Sequence, residues 1–350
     1  TAERGKRRLH CAAVCWISAK GIGIKTAFSM SRCMRTSRND VRILFSIWNR
    51  ILELEGKDHM ERLTEESVRA LLPVRKPDAN KGDFGRLLCI TGSRRMPGAA
   101  ALSAMGALRA GVGLLTVATA AENVPILASH MLEAMYLPLQ TDADGFLLDV
   151  PNRELLLPHM ERADAILLGC GLGLTEQTRT LVRFVLQHAT CPVILDADGL
   201  NAVASCIDIG QNAGTDRILT PHPGEMARIL HTTPAAIQAD REACLNDFCK
   251  RYPQIVLALK GAGTLIGQGT RVVKNETGNP GMSRGGSGDV LAGILAALVA
   301  QKLSAFDAAC AAVYIHGAAG DLAAQHCSMQ AMLPSDLIHA MQELFLRWNR

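Results

Sequence analysis

From residue 86 onward the chain alternates two apolar patterns. Short uninterrupted apolar runs lie at Leu87–Thr91, Leu114–Thr119, Ala165–Leu168, Val193–Asp196, Arg217–Thr220 and Ile255–Leu259. They are too short for helices and lack an in-and-out alternation, which is how parallel strands covered on both faces read. Between them come segments with helical spacing, Gly98–Arg109, Gln177–His188 and Pro234–Tyr252, the last with Thr233 as N-cap and Pro234 at the first helical position. A hairpin is predicted over Thr264–Lys274, followed by helices over Val290–Ala300, Ala305–Cys327 and Ser335–Trp348. The alternation predicts an α/β fold, a doubly wound, mostly parallel sheet flanked by helices. Residues 1–59 show neither a period of 2 nor one of 3.6, so they are expected to stand outside the fold, with 60–350 forming a single domain. Just after Met60, Thr64 is placed to cap a short amphipathic helix; a natural chain starting at Met60, with a leader, tag or misassigned start upstream, fits this pattern.

Composition narrows the class. With 350 residues, 48% hydrophobic and 20% charged, the chain can bury a sizeable core, while 4% aromatics leave few platforms on which nucleic-acid bases could stack. The net charge of +4 divides unevenly. Residues 1–59 hold 12 Lys/Arg against 5 Asp/Glu and residues 60–350 hold 25 against 28, so the body is mildly acidic and offers no basic face to a nucleic-acid backbone. The longest apolar run, Val290–Ala300, is far short of the roughly 20 residues that span a bilayer and reads as a buried helix. Lys6–Ala19 has the basic start of a weak signal peptide, but its apolar part is borderline in length. Eleven cysteines without a C-x-x-C pair, several inside apolar runs (Cys89, Cys191, Cys310), indicate reduced thiols and a cytoplasmic protein.

Ligands of such sheets bind beyond the carboxyl ends of the strands. In this chain those ends carry Thr91-Gly92-Ser93, Gly169-Cys170-Gly171-Leu172-Gly173, Asp196-Ala197-Asp198-Gly199, Pro221-His222-Pro223-Gly224-Glu225 and Lys260-Gly261-Ala262-Gly263-Thr264. One such segment alone is an ordinary turn; five at one edge are a site. Gly285-Gly286-Ser287-Gly288-Asp289 leads straight into the apolar helix, and glycines there let successive N–H groups converge where the helix dipole also favours an anion. That is a phosphate cradle, with Asp289 in the first turn able to accept a proton from a hydroxyl. Read blandly, Asp289 is a helix cap, Lys260 a solvated lysine and His222 a residue fixed between two prolines. Read functionally, Lys260 neutralises phosphate oxygens and His222 makes a fixed ligand contact. The sequence has no P-loop motif, its 169–173 glycines do not fit a dinucleotide fingerprint, and no His/Cys cluster has metal-ligand spacing; a metal would be Mg²⁺ arriving with nucleotide phosphate.

From Lys81 to the C-terminus these motifs, together with Lys81-Gly82-Asp83-Phe84-Gly85, Pro97-Gly98-Ala99 and Gly278-Asn279-Pro280-Gly281-Met282, resemble the ADP-dependent NAD(P)H-hydrate dehydratases, a carbohydrate-kinase-like family of ribokinase-like fold. Two positions depart from the family pattern: Cys170 stands where proline is usual, and Ser283-Arg284 where Ala-Thr is common, which makes Arg284 a candidate to alter nucleotide contacts. The resemblance implies dehydration of the S epimer of hydrated NADH or NADPH with ADP as co-substrate and Mg²⁺ as its ion. It implies Asp289 as base; Ala99, Gly171, Gly173, His222 and Asp289 holding the hydrate; and Lys260, Gly261, Ala262, Gly263, Thr264, Gly286 and Gly288 holding the nucleotide. It also implies a homo-oligomer, with a tetramer as one candidate, and a separate epimerase acting upstream, since residues 1–59 are too few for that domain. A vitamin or sugar kinase of the same fold and a non-catalytic nucleotide-binding protein are the alternatives, the first opposed by the Pro221–Glu225 and Asn279–Gly281 segments, the second by an intact Asp289.

Overall fold

The computed structural model describes residues 60–205 and 215–349; the reading of residues 1–59 lies outside them. Among the described residues ten strands form one sheet: β1 (Glu61–Arg62), β2 (Arg86–Ile90), β3 (Leu114–Ala120), β4 (Met135–Leu139), β5 (Ala165–Leu168), β6 (Val193–Leu195), β7 (Arg217–Leu219), β8 (Ile255–Leu259), β9 (Leu265–Gln268) and β10 (Arg271–Lys274). The helices, in chain order, are α1 (Glu65–Leu71), α2 (Pro97–Arg109), α3 (Val124–Ala128), α4 (Val150–Met160), α5 (Glu176–His188), α6 (Asp198–Val203), α7 (Pro223–Ile229), α8 (Pro234–Ala239), α9 (Arg241–Arg251), α10 (Ser287–Ala300), α11 (Ala305–Ala331) and α12 (Pro334–Trp348).

The strand order is β1-β10-β9-β8-β7-β6-β5-β2-β3-β4. All pairs from β8 to β4 are parallel, and the predicted hairpin adds the antiparallel β9 and β10. The chain winds outward from β2 through β3 to β4, then returns to the other side of β2 as β5, so the topological switch point lies between β2 and β5. Ligands of open α/β sheets enter at that crevice.

Both faces of the sheet are covered. Leu87 and Cys89 of β2 face one core with Ala165 and Leu167 of β5, while Leu88, Ile90, Ile166 and Leu168 face the other. The strands therefore read as continuous apolar runs although their side chains alternate. The first core holds α2, α10, α11 and α12, the second α5 and α9. Helices α2 and α10 cross tightly: a methyl group on Gly293 would lie 2.0 Å from the Ser103 carbonyl oxygen. Small residues at this crossing bring the first turns of both helices to the same end of the sheet.

The predicted helix over Pro234–Tyr252 is two helices. Asp240 interrupts it with φ −153° and ψ 83°, and its side chain accepts from the Ala243 N–H at 2.9 Å, capping α9. An aspartate that can satisfy a helix N-terminus competes with helix continuation, a conflict that periodicity alone does not register. Thr64 caps α1 as expected, in a reciprocal pair with Ser67. The predicted end of α11 at Cys327 falls beside a kink at Ser328, where φ is 66°. The stretch between β3 and β5, which has no assignment from the sequence, supplies α3, β4 and α4.

Candidate active site

The five strand-end segments meet at one edge. At the switch point, the Gly92 and Ser93 N–H groups donate to the carbonyls of Cys170 and Gly171 at 2.8 and 2.7 Å, joining the β2 and β5 turns. Thr119 Oγ1 and Asn123 Nδ2 clamp the same turn through the Gly92 and Ser93 carbonyls. Gly171 has φ +67° and lies against α2: a methyl group on it would be 2.6 Å from Ala99 Cβ. The structure thus puts Ala99 and Gly171 together, while Gly173 turns to the neighbouring strand end, its N–H donating to Asp198 Oδ2 at 2.7 Å.

A buried charge cluster forms the floor. Lys260 Nζ, at the end of β8, donates to Asp196 Oδ1 at 2.7 Å and lies 3.8 Å from Glu225 Oε2. Thr220 Oγ1 donates to the same Asp196 oxygen at 2.7 Å. Burial works against the charge on Lys260, but Asp196 and Glu225 outweigh it and hold the ammonium above its ordinary pKa. Burial pushes the Glu225 carboxyl up, and Lys260 only partly offsets this. His222 is the N-cap of α7, with Nδ1 accepting from the Gly224 and Glu225 N–H groups at 2.9 and 3.4 Å. The ring proton therefore sits on Nε2, which lies 3.4 Å from Glu225 Oε1. Burial, then Lys260 and Arg228, push its pKa down, so the ring is neutral near pH 7. With 51% of its side chain exposed, His222 can cap the helix and still face a ligand.

Above this floor stands the start of α10. Gly286 is its N-cap at φ +99°, no side chain among the described residues caps the helix, and the Ser287 N–H donates to the Arg284 carbonyl at 3.3 Å, which leaves the Gly288 and Asp289 N–H groups for an anion. A methyl group on Gly288 would lie 3.4 Å from Lys260 Nζ and 3.7 Å from Asp196 Oδ2. The cradle and the lysine therefore face one space. Asp289 is raised to about 7, first by burial and then by Asp196 and Asp198, against the opposing effects of Cys170 and Lys260. A carboxylate poised near neutrality beside a phosphate cradle has the proton affinity of a general base. The Lys260–Thr264 turn itself is open, with Gly261 and Ala262 exposed.

Several supporting residues are absent from the sequence reading. Arg241, at the start of α9, donates to the Ala262 and Leu259 carbonyls at 2.7 and 2.8 Å and so underlies the Lys260–Thr264 turn. His316 of α11 is pushed down to about 4 by burial, and its Nε2 has no partner among the described residues. Asp321 accepts from the Gly278 N–H at 2.9 Å and Asn279 Nδ2 at 3.0 Å, tying the Gly278–Met282 loop to α11. The available signal was polar residues interrupting an otherwise apolar helix, as His316 and Asp321 do. Arg284, the candidate for altered nucleotide contacts, donates to the Gln330 carbonyl. Replacing Asp321 with Ala removes two hydrogen bonds to a carboxylate, and a stability loss of about 2–4 kcal/mol in denaturant unfolding is expected. A loss under about 0.5 kcal/mol would mean that the loop holds itself.

A doubly wound, mostly parallel sheet with a glycine-led helix starting at its ligand edge is a ribokinase-like fold. Residues 87–343 match the family model described as NAD(P)H-hydrate dehydratase, and the chain belongs to that family. It is 34% identical over 288 residues to the ADP-dependent (S)-NAD(P)H-hydrate dehydratase of Neisseria meningitidis, covering 81% of this chain and 92% of that one. It is 41% identical over 292 residues to the bifunctional NAD(P)H-hydrate repair enzyme of Moorella thermoacetica, covering 82% of this chain and 54% of that protein, so it spans about half the length of such relatives. Among solved structures, the ADP/ATP-dependent NAD(P)H-hydrate dehydratase of Bacillus subtilis, co-crystallised with ATP and Mg²⁺, superposes with a TM-score of 0.70 at 30% identity, covering 83% of this chain and 99% of that one. Among the described residues no helix is long and apolar enough to cross a membrane.

Proposed function

We propose that this chain dehydrates the S epimer of hydrated NADH and NADPH, using ADP and releasing AMP and phosphate. The observation that carries the reading is Asp289, a carboxyl raised to about 7 on the first turn of an uncapped helix, facing Lys260. Hydroxide leaves a ring carbon poorly. In the proposed reaction the substrate hydroxyl attacks the β-phosphorus of ADP, its proton passes to Asp289, and the bond to the α-phosphate oxygen breaks to give AMP. The ring nitrogen's electron pair then expels phosphate, and loss of a proton from the neighbouring carbon restores the double bond. The α10 N–H groups stabilise charge on the moving phosphoryl group, at about 3 kcal/mol per donor.

Mg²⁺ enters in this reading with the nucleotide. Asp196 Oδ1 is taken by Lys260 and Thr220, Glu225 Oε2 by the His222 N–H, and Asp198 Oδ2 by the Gly173 N–H. Such committed oxygens suit a metal carried on phosphate and water rather than a resident ion. The free thiols of the described residues support a reducing compartment, for which we take the cytoplasm.

The test is direct: protein, hydrated NADH and MgADP should regenerate the reduced-nicotinamide absorbance with one AMP and one phosphate per turnover. Accumulation of a stable phosphorylated product would instead assign a small-molecule kinase, and nucleotide binding without turnover a sensor. We expect ADP to give a higher kcat/KM than ATP, because the Lys260 charge is already balanced by Asp196 and Glu225, and a longer phosphate chain meets an acidic edge. Arg241 beneath the turn acts the other way, so the expected preference is modest. Arg284→Thr should leave the ratio unchanged, its guanidinium being held by Gln330. Equal or better use of ATP would overturn the ADP assignment.

A further inference from the structure

Cys170 is the residue of the site that the proposed reaction leaves without a task. It lies in the turn after β5 and is completely buried. Its S–H donates to Asp196 Oδ2 at 3.8 Å, and the sulfur and one oxygen each of Asp196 and Asp289 all lie within 4.8 Å of one another. A thiol carries a single proton and is a weak donor. Here it has two carboxylates to choose between, and the choice depends on the charge of each. Asp289 is faced also by Asp198 from α6 and by Lys260 from β8, while Asp196 already accepts from Lys260 and Thr220. Once ionised, Asp289 is therefore the carboxylate in greater need of a donor.

We propose that Cys170 is a positioning residue whose S–H, donated to Asp196 in this structure, turns to the Asp289 carboxylate when Asp289 is ionised and back to Asp196 when Asp289 takes up a proton. No bond to sulfur forms or breaks. Burial, then the charges of Asp289 and Asp196, keep the thiol far above its ordinary pKa, so it serves as a donor and not as a nucleophile. The hydrogen bond holds the Asp289 oxygens in one orientation and opposes the burial that favours their protonation. This rests on Asp289 being the base, as proposed above.

Two measurements test it. The acid limb of the kcat/KM profile should move up by roughly 0.5–1 pH unit in Cys170→Ala, which lacks the donor, and return to or below the wild-type position in Cys170→Ser, whose hydroxyl is a stronger donor. A purely structural cysteine would change the melting temperature and leave both limbs in place, and that outcome overturns the proposal. The second readout needs no turnover: the S–H stretching band of Cys170, isolated as the infrared difference between wild type and Cys170→Ala. It should shift between pH 5 and pH 9, and the shift should vanish in Asp289→Asn. A band that does not respond to pH refutes the switch, whatever the activity of Asp289→Asn, which reports separately on whether Asp289 is the base.

Discussion

Asp289→Asn should lose two to four orders of magnitude in kcat while binding nucleotide within a few-fold of the wild type. The substitution keeps the shape and most hydrogen bonds of the side chain and removes only its ability to accept a proton, the expected range for a general base. The same residue makes an unusual stability prediction. Its carboxyl has a folded pKa of about 7, against 3.8 for a solvated aspartate. A carboxyl whose pKa is raised on folding favours the folded state in its protonated form, so its ionisation costs nothing below pH 3.8. The cost builds between there and 7, and is fully present above 7. The Asn variant escapes it and should be more stable than wild type at pH 8 by about 2–4 kcal/mol, with the gain gone near pH 4. In the wild type, kcat/KM should fall about tenfold per pH unit below roughly 7, the limb of a base that must be ionised. Retention of more than a tenth of the activity by Asp289→Asn would place the base elsewhere. Equal unfolding free energies at pH 8 would mean that Asp289 is solvated.

Much of this arrangement is legible in the sequence itself, because parallel strands buried on both faces announce themselves as short apolar runs. Ala165–Leu168 and Ile255–Leu259 coincide with the strands β5 and β8, and Lys260 and Asp196 directly follow strand ends, as predicted. Glycine-led turns at those ends pointed to the site edge for a physical reason, close approach of backbone to ligand. What stayed hidden depends on contacts between distant segments. Nothing in Pro234–Tyr252 says that Asp240 will stop one helix so that Arg241 can reach the Leu259 and Ala262 carbonyls. Nor does the sequence say that Asp321, 42 residues after Asn279, will clamp its loop. The weak signal of β4 was missed because Met135–Leu139 is half exposed and carries Pro138. The ionic pairing of Lys260 is the most consequential of these hidden contacts, since the sequence offered it as a cation free for phosphate.

Lys260→Met should therefore damage the fold as well as the chemistry. With the ammonium gone, Asp196 and Glu225 remain buried without their shared cation, and removing one partner of a buried ion pair typically costs about 3–5 kcal/mol. Lys260 has only 18% of its side chain exposed, and its partners 2% and 6%, so water cannot readily take its place. The deficit has a defined pH dependence. An unpaired buried carboxylate has a raised folded pKa, so its penalty is full above that value and shrinks as acid protonates it. The gap between variant and wild type should be wide at pH 8 and narrower at pH 5. The double variant Lys260→Met with Asp196→Asn removes the stranded charge that lies in hydrogen-bond contact with the lysine, and should recover at least half of the lost stability at pH 8. It should not recover turnover, because the cation that faces Gly288 across the cradle is still missing. Denaturant unfolding at both pH values and nucleotide titration on the three proteins separate these roles. If the single variant is as stable as the wild type at pH 8, the Lys260–Asp196 contact is solvated and not a buried pair. If the double variant regains turnover along with stability, Lys260 acts only through the fold and makes no direct contribution to phosphoryl transfer.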